Sequence, residues 1–412
     1  MAAAADVSGG RRVSRSRRRR IVAALAVTQT VGYGTLHYAF AVLLTPVAAD
    51  LGTSTTTVTG AFTASVLTSA ALAVPVGRWL DRHGGRALMT AGSLSGALLL
   101  LAWAQITETW QLYAVQIGLG AAGAASLYEA AFAVVIAWHS PAGRSAALLA
   151  LTVVAGFAST IFLPLTGWLV DRHGWRAALL VLAGVQAVLT VPLHAVVLRA
   201  VPRPAVAPGP VTGPGPANLR AVLADRGFWL LGTGFTAHTA AVSVVNVHLV
   251  AALTSWGHSA TFAATTAGLF GVLSVAGRLA VTGLQRRHRL AGVVAAVFAV
   301  QAVAAAGLPL TGRDAVAAVA GVIGFGLGFG VGSIARPVLL ADRYDTRRYA
   351  TIAGVLVVPM TVAKAAAPLG AAAAHTYADS YAPVFGAVAV ACALAAAALV
   401  AVRPASRPVR PG

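Results

Sequence analysis

Along the chain, long apolar stretches alternate with short polar ones. The apolar stretches fall at 21–44, 58–76, 87–106, 111–137, 145–169, 177–198, 227–253, 261–283, 290–310, 314–340, 349–374 and 381–402. As helices rising 1.5 Å per residue, each approaches or exceeds the ~30 Å hydrocarbon core of a bilayer. The pattern predicts an all-α integral membrane protein with twelve transmembrane helices. One connection differs from the rest. Pro202, Pro204, Pro208, Pro210, Pro214 and Pro216 crowd the interval from Arg199 to Arg226, so 199–226 reads as a linker and not a span. It divides the chain into two six-helix bundles, 21–198 and 227–402, flanked by tails at 1–20 and 403–412.

Composition agrees with that reading. The chain is 58% hydrophobic and 10% charged, with a mean hydropathy of +0.80, which excludes a water-soluble domain of this length. A net charge of +19 would by itself suggest a nucleic-acid partner. The placement of the charges argues against one. With odd-to-even connections set outside, every basic residue except Arg172, Arg176, Arg313 and Lys364 falls in the inner segments or at the inner ends of spans. Positive segments stay in the cytoplasm, so both termini are expected there, in a multi-pass protein of the cytoplasmic (inner) cell membrane. Arg11, Arg12, Arg15, Arg17, Arg18, Arg19 and Arg20 make the first tail a disordered basic segment expected to lie on anionic lipid headgroups. The same run ahead of an apolar stretch, with Ala39-Phe40-Ala41 beyond it, imitates a secretion leader. Ile21 to Leu44 is too long for a leader core, however, and further spans follow. The single Cys392 excludes a disulfide framework and a thiolate metal site.

A turn between the second and third spans reads Gly77-Arg-Trp-Leu-Asp81-Arg82-His83-Gly84-Gly85-Arg86. Its pattern recurs between the fifth and sixth spans as Gly167-Trp-Leu-Val-Asp171-Arg172-His173-Gly174-Trp175-Arg176. An odd number of spans separates the copies, so they face opposite sides of the membrane, as a three-plus-three inverted repeat within each six-span half requires. The first copy resembles the signature loop of the major facilitator superfamily. A weakened copy in the second half, Gly283-Leu-Gln-Arg286-Arg287-His288-Arg289, keeps the basic character and has Arg286 where the acid would stand. The resemblance implies two bundles around a cavity that opens alternately to either side. It makes Gly77, Asp81, Arg82, Gly84 and Arg86 a conformational switch, with Asp81 set against the N-terminus of span eleven in the outward-open state.

Polar groups inside the membrane mark the candidate site, because a charge at mid-bilayer costs at least ~2.5–3.5 kcal/mol. Glu129 lies in span four about eight residues from its cytoplasmic end, roughly 12 Å deep. Lys364, the only lysine, stands near the middle of span eleven. Arg278 in span eight is shallower and able to snorkel. Tyr33 and His37 in span one, and His238 and Asn246 in span seven, complete the set. The acid and the base either serve the cargo or only pair with partners that lock the bundle, and a lone membrane histidine is often a packing residue. Glycines in spans four and ten, and Pro359 and Pro368 in span eleven, supply bends. No Gly-Lys-Ser/Thr loop, His-Glu-x-x-His or nucleophile elbow is present, so no enzyme, cofactor or metal is expected.

Gly32-Tyr33-Gly34 early in span one, Arg278 in span eight and Lys364 in span eleven resemble the monocarboxylate-transporter and oxalate/formate-exchanger branch of that superfamily. In the exchanger the corresponding arginine and lysine bind substrate carboxylates. Two positions depart from the animal monocarboxylate pattern: no acid precedes Gly32, and Ser274 occupies the place of an aspartate one turn before Arg278. The expected function is secondary active transport by alternating access of a small organic anion, coupled to a proton or a counter-anion, by a monomer. A drug or cation exporter, with Glu129 as the cargo's counter-ion, is the alternative; Gly156, Pro164 and Gly167 in span five loosely resemble the antiporter motif. A transporter-like sensor that binds without transporting is the second.

Overall fold

A computed structural model describes residues 15–198, 219–344 and 346–402. Among these residues every regular element is helical. The expected disorder of the first fourteen residues, and the segments 199–218 and 403–412, lie outside the described residues. Ten stretches are long and apolar enough to cross a membrane. One of them, Pro141–Val197, turns back on itself at Gly174 and so crosses twice. The opening helix, at 15–50, supplies a further crossing. The spans are α1 (15–50), α2 (Thr55–His83), α3 (Gly85–Trp103), α4 (Thr109–Trp138), α5 (141–173), α6 (175–197), α7 (Arg226–Ser255), α8 (Ala260–Leu284), α9 (Leu290–Thr311), α10 (Ala315–Arg343), α11 (Tyr349–Ala378) and α12 (Ala382–Ala401).

Two boundaries differ from the sequence reading. The first helix begins at Arg15, inside the stretch read as a disordered tail, because the Arg15–Arg20 run propagates helix well once Ile21 onward is packed. The linker ends earlier than expected, with a short helix at Leu219–Ala224 whose Val222 is fully buried.

The apolar exterior faces where lipid would lie: Val272, Val303 and Leu310 expose most of their surface. Inside, three separate clusters form the core. The first runs through both halves, from Leu25, Leu80 and Phe132 to Phe228, Ile334, Ile352 and Leu399. It lies toward the face where α1 begins and α12 ends, called here the terminal face. Toward the opposite face the core splits, one cluster staying within the first half around Phe40 and Trp103 and the other within the second around Phe325 and Phe385. The halves are therefore joined at the terminal face and apart at the other.

Three spans are interrupted near mid-depth. In α4 the helix breaks at Leu127 (ψ −160°), in α5 at Gly156–Phe157, and in α10 at Gly330. A fourth, α1, widens into a π-helical turn at Gly34–Tyr38. Gly34 and Gly32 leave no room for a Cβ beside Phe162 and Leu127, so this turn presses closely on α5 and α4. Interruptions of this kind expose backbone groups at mid-membrane, and proteins tolerate them where they build a site.

The end of the linker is built into the fold. Asp225 caps α7 by accepting from Gly227 N (3.0 Å), and it also accepts from Arg343 Nε (2.9 Å) and the Tyr344 hydroxyl (2.6 Å). Burial pushes its carboxyl up, but the bonds from Arg343, Tyr344 and Gly227 outweigh that and hold it at about 2. A carboxyl held below its ordinary ~3.9 contributes stability that is full above about pH 4 and lost as pH falls through about 2. Thermal unfolding in detergent is expected to show that loss, and Asp225→Asn to remove this pH-dependent part, about 1–2 kcal/mol after allowing for its contact with water.

Candidate functional site

The interrupted helices bring the intramembrane charges together in two groups. Nearer the terminal face, Glu129 begins the half-helix Tyr128–Trp138 of α4, and Arg336 projects from the half-helix Val331–Arg343 of α10. Arg336 Nη2 donates to Glu129 Oε1 at 2.6 Å, an ion pair that ties one half of the protein to the other. The arginine side chain is 10% accessible and the glutamate 32%. Arg336 Nη1 also rests on the Met360 sulfur at 3.8 Å, while Glu129 Oε2 is buried without a hydrogen-bond partner.

The second group surrounds the π-helical turn of α1. Its rings are Tyr33, His37 and Tyr38, joined by Tyr128 of α4 (4.5 Å from the Tyr33 ring) and Phe62 of α2 (5.1 Å from His37). His37 and Tyr38 lie 5.5 Å apart, edge to face. Arg278 of α8 and Lys364 of α11 stand at the two sides of this aromatic patch. Arg278 is within electrostatic range of Tyr128 and Tyr38, and Lys364 of His37. Lys364 is exposed on α11.

Backbone carbonyls at two helix breaks hold Arg278, and a side-chain bond fixes the backbone at Lys364. Arg278 Nη1 donates to Thr152 O (2.9 Å) just before the break in α5, and Nε to Gly330 O (3.2 Å) at the break in α10. The arginine is thus a second donor to each carbonyl, beside Gly156 N on Thr152 O (3.0 Å) and the Ser333 hydroxyl on Gly330 O (2.7 Å). Its Nη2 has no partner among the described residues. Lys364 precedes Pro368 by four residues, and a proline has no N–H to return to that carbonyl. The Ser243 hydroxyl of α7 donates to Lys364 O instead (2.7 Å), fixing the backbone and leaving the ammonium to the cleft.

The remaining candidates separate. Asn246 is exposed on the face of α7 that carries Ser243, one turn away, and makes no hydrogen bond among the described residues. His238 points elsewhere. It is buried flat on Phe298 (3.9 Å) with Nε2 3.1 Å from Gln301 Oε1, an intra-half packing contact remote from the cleft, because its side of α7 faces α9.

Sequence reasoning missed Arg336. By sequence it groups with the inner-end arginines although it lies within span ten. The structure corrects this: Glu129 pairs with Arg336, and among the described residues neither Lys364 nor Arg278 has a carboxylate partner. The available signal was depth, since Arg336 sits inside the apolar run 314–340.

At the terminal face the Gly77–Arg86 turn closes the two halves. Asp81 Oδ1 accepts from Ala350 N (3.0 Å) and Oδ2 from Thr351 N (2.8 Å), in the first turn of α11. Gly77 has no room for a Cβ against Ala350, so α2 and α11 meet backbone to backbone. Gly84 (φ 76°) makes the turn, Arg82 is exposed beside it, and Arg86 Nε donates to Ala195 O at the end of α6 (2.9 Å). A carboxylate at a helix N-terminus contributes up to ~2 kcal/mol when partly buried. Asp81→Asn is therefore expected to loosen this face. A cysteine at the buried Ala353 should react with a thiol reagent about fivefold faster or more in that background; an unchanged rate would remove Asp81 from the closure.

Twelve helices of membrane-crossing length among the described residues, in two halves joined at one face and parted at the other, make a multi-pass membrane fold of the transporter type. The chain belongs to the Major Facilitator Superfamily, whose sequence model matches residues 25–368. It is 32% identical over 210 residues to monocarboxylate transporter 13 of Bos taurus, a match covering 50% of this chain and 47% of that protein, so it spans about half the relative's length. Among solved structures it resembles the human organic anion transporter MFSD10 (TM-score 0.70, 18% identity, 93% of this chain and 99% of that one). It also resembles the transporter FucP in the outward conformation (TM-score 0.68, 16% identity, 93% and 98%).

Proposed function

We propose that the protein is a secondary active transporter that carries a small organic anion by alternating access, coupled to a proton or a counter-anion. One observation carries this reading: Arg278 and Lys364 lie within electrostatic range of the same aromatic group and have no carboxylate partner among the described residues, because Glu129 is already held by Arg336. Two uncompensated cations in a partly dehydrated cleft are costly, and an entering carboxylate relieves that cost. Arginine offers a fork with Nη2 to spare and lysine a movable point charge. Tyr33, Tyr128 and His37 provide the flat apolar wall and hydrogen-bonding edges that a short carbon skeleton needs. The names of two similar proteins, a monocarboxylate transporter and an organic anion transporter, point the same way.

On this reading the terminal face is cytoplasmic, since the arginines gather there, and the structure is the outward-open state of a monomer in the cell membrane. Arg17 and Arg20 border an apolar groove between α1 and α6 with Ala24, Val27 and Val196, a place suited to an anionic lipid headgroup and its chain. Uptake into proteoliposomes under an inward proton gradient tests the function. Labelled small mono- and dicarboxylates should accumulate and compete with one another. Accumulation of amphipathic cations instead would support export of drugs, and binding without uptake would support a sensor.

A further inference from the structure

The two copies of the Gly-x3-Asp-Arg-His-Gly-x-Arg turn are alike in detail. Gly84 and Gly174 make the same bend, with φ of 76° and 79°. Arg86 donates to Ala195 O in the last turn of α3's repeat mate α6, and Arg176 Nη2 donates to Ile106 O just past the end of α3 (3.0 Å). The exchange is reciprocal, as an inverted repeat requires. Arg176 also pairs with Asp50 (2.8 Å), and two further differences concern docking. Asp81 is docked on the first turn of α11, whereas Asp171 is exposed with no hydrogen bond among the described residues. Gly77 is pressed on Ala350, whereas Gly167 has open space where a Cβ would stand.

The repeat that relates α2 to α5 also relates α11 to α8. The first turn of α8 lies at the opposite face, and Gly268 and Gly271 beyond it again have nothing against them. The two helix starts are capped differently. No side chain of its own caps α11, whose N–H groups go to Asp81, while α8 is capped locally, Ser259 Oγ accepting from Phe262 N at 3.2 Å.

We propose that Asp171 is a second latch, the mirror image of the first. When the opposite face closes, its carboxylate docks on the N–H groups of Thr261 and Phe262, Ser259 releases its bond, and Gly167 packs against α8. The protein then has one carboxylate latch for each closed state, and transport trades Asp81–α11 for Asp171–α8. The inference deepens the transport reading and rests on its alternating access.

Spin labels on Thr107→Cys and Thr254→Cys, exposed sites on the opposite face in different halves, measure the gap between the halves by pulsed electron resonance. Asp81→Asn should raise the short-distance population. Adding Asp171→Asn should lower that population about five- to thirtyfold, the ratio a partly buried charge–dipole contact sets, and Asp171→Glu should retain most of it. If Asp81→Asn shifts the gap and Asp171→Asn then changes nothing, the mirror latch is wrong and alternating access stands. If neither variant, nor a bound carboxylate, moves the labels, both ideas fall.

Discussion

Lys364→Ala is expected to raise the dissociation constant for a small carboxylate by about two orders of magnitude or more, with the protein still folded. Truncating one side of a buried, hydrogen-bonded charge pair costs about 2–5 kcal/mol, and the lysine has no second function that alanine would damage. What holds α11 in place here is the Lys364 carbonyl, which Ser243 engages and which alanine keeps. Lys364→Arg should restore binding only in part, since a planar fork does not reach where a point charge did. Arg278→Ala makes the contrast. It removes the same kind of charge but also two hydrogen bonds at two helix breaks, to Thr152 O and Gly330 O, which keep Gly156 N and the Ser333 hydroxyl as donors. That variant should lose binding and also melt earlier, by up to about 1.5–3 kcal/mol for each hydrogen bond lost from a charged donor. Binding isotherms and melting curves on the three variants separate charge from architecture.

Glu129→Gln should have a comparably large effect, of a different kind. The substitution leaves Arg336 buried without its counter-charge, and breaking such a pair from one side costs ~3–5 kcal/mol. The double variant Glu129→Gln, Arg336→Gln removes both charges and should recover much of that stability, a non-additivity expected of residues in contact. Transport is the second readout. Glu129 is the acid that both reaches the cleft region and keeps one buried oxygen unpartnered, so it is the candidate proton carrier. Proton-driven accumulation should disappear in Glu129→Gln while exchange of one carboxylate for another stays measurable. If accumulation keeps its normal pH dependence, the proton travels elsewhere, and His37, beside Lys364, is the next candidate. His238, stacked on Phe298 and set against Gln301, is not.

Much of the architecture was legible because lipid imposes a coarse rule. Apolar runs of span length and a one-sided distribution of arginines report crossings and direction without reference to packing. The repeated turn was legible too, since its glycines and arginines answer to local geometry: Gly84 and Gly174 need a positive φ, and Arg86 and Arg176 reach carbonyls at nearby helix ends. Pairing across the two halves was not. Glu129 and Arg336 are 207 residues apart in the chain, and nothing in either run says which helix faces which. A charge a few residues inside an apolar run looks the same whether it snorkels to water or turns inward, and Arg336 turns inward while its side chain is almost wholly enclosed. The same ambiguity hid the fate of His238. Its helix lines the cleft with Ser243 and Asn246, but the histidine falls on the other side. The break at Leu127 was invisible for another reason. No proline marks it, and Gln29 Nε2, far away in sequence, supplies the donor for Ser126 O (2.9 Å) that makes the break tolerable.

The central claim is that two unbalanced cations make the cleft a carboxylate site. Isothermal titration of the purified wild-type protein with small mono- and dicarboxylates, set beside amphipathic organic cations of similar size, tests it most directly. The account predicts saturable carboxylate binding that weakens with the loss of either Lys364 or Arg278, and no saturable binding of the cations. Saturable cation binding that is indifferent to Lys364→Ala, with carboxylates ignored, would contradict it.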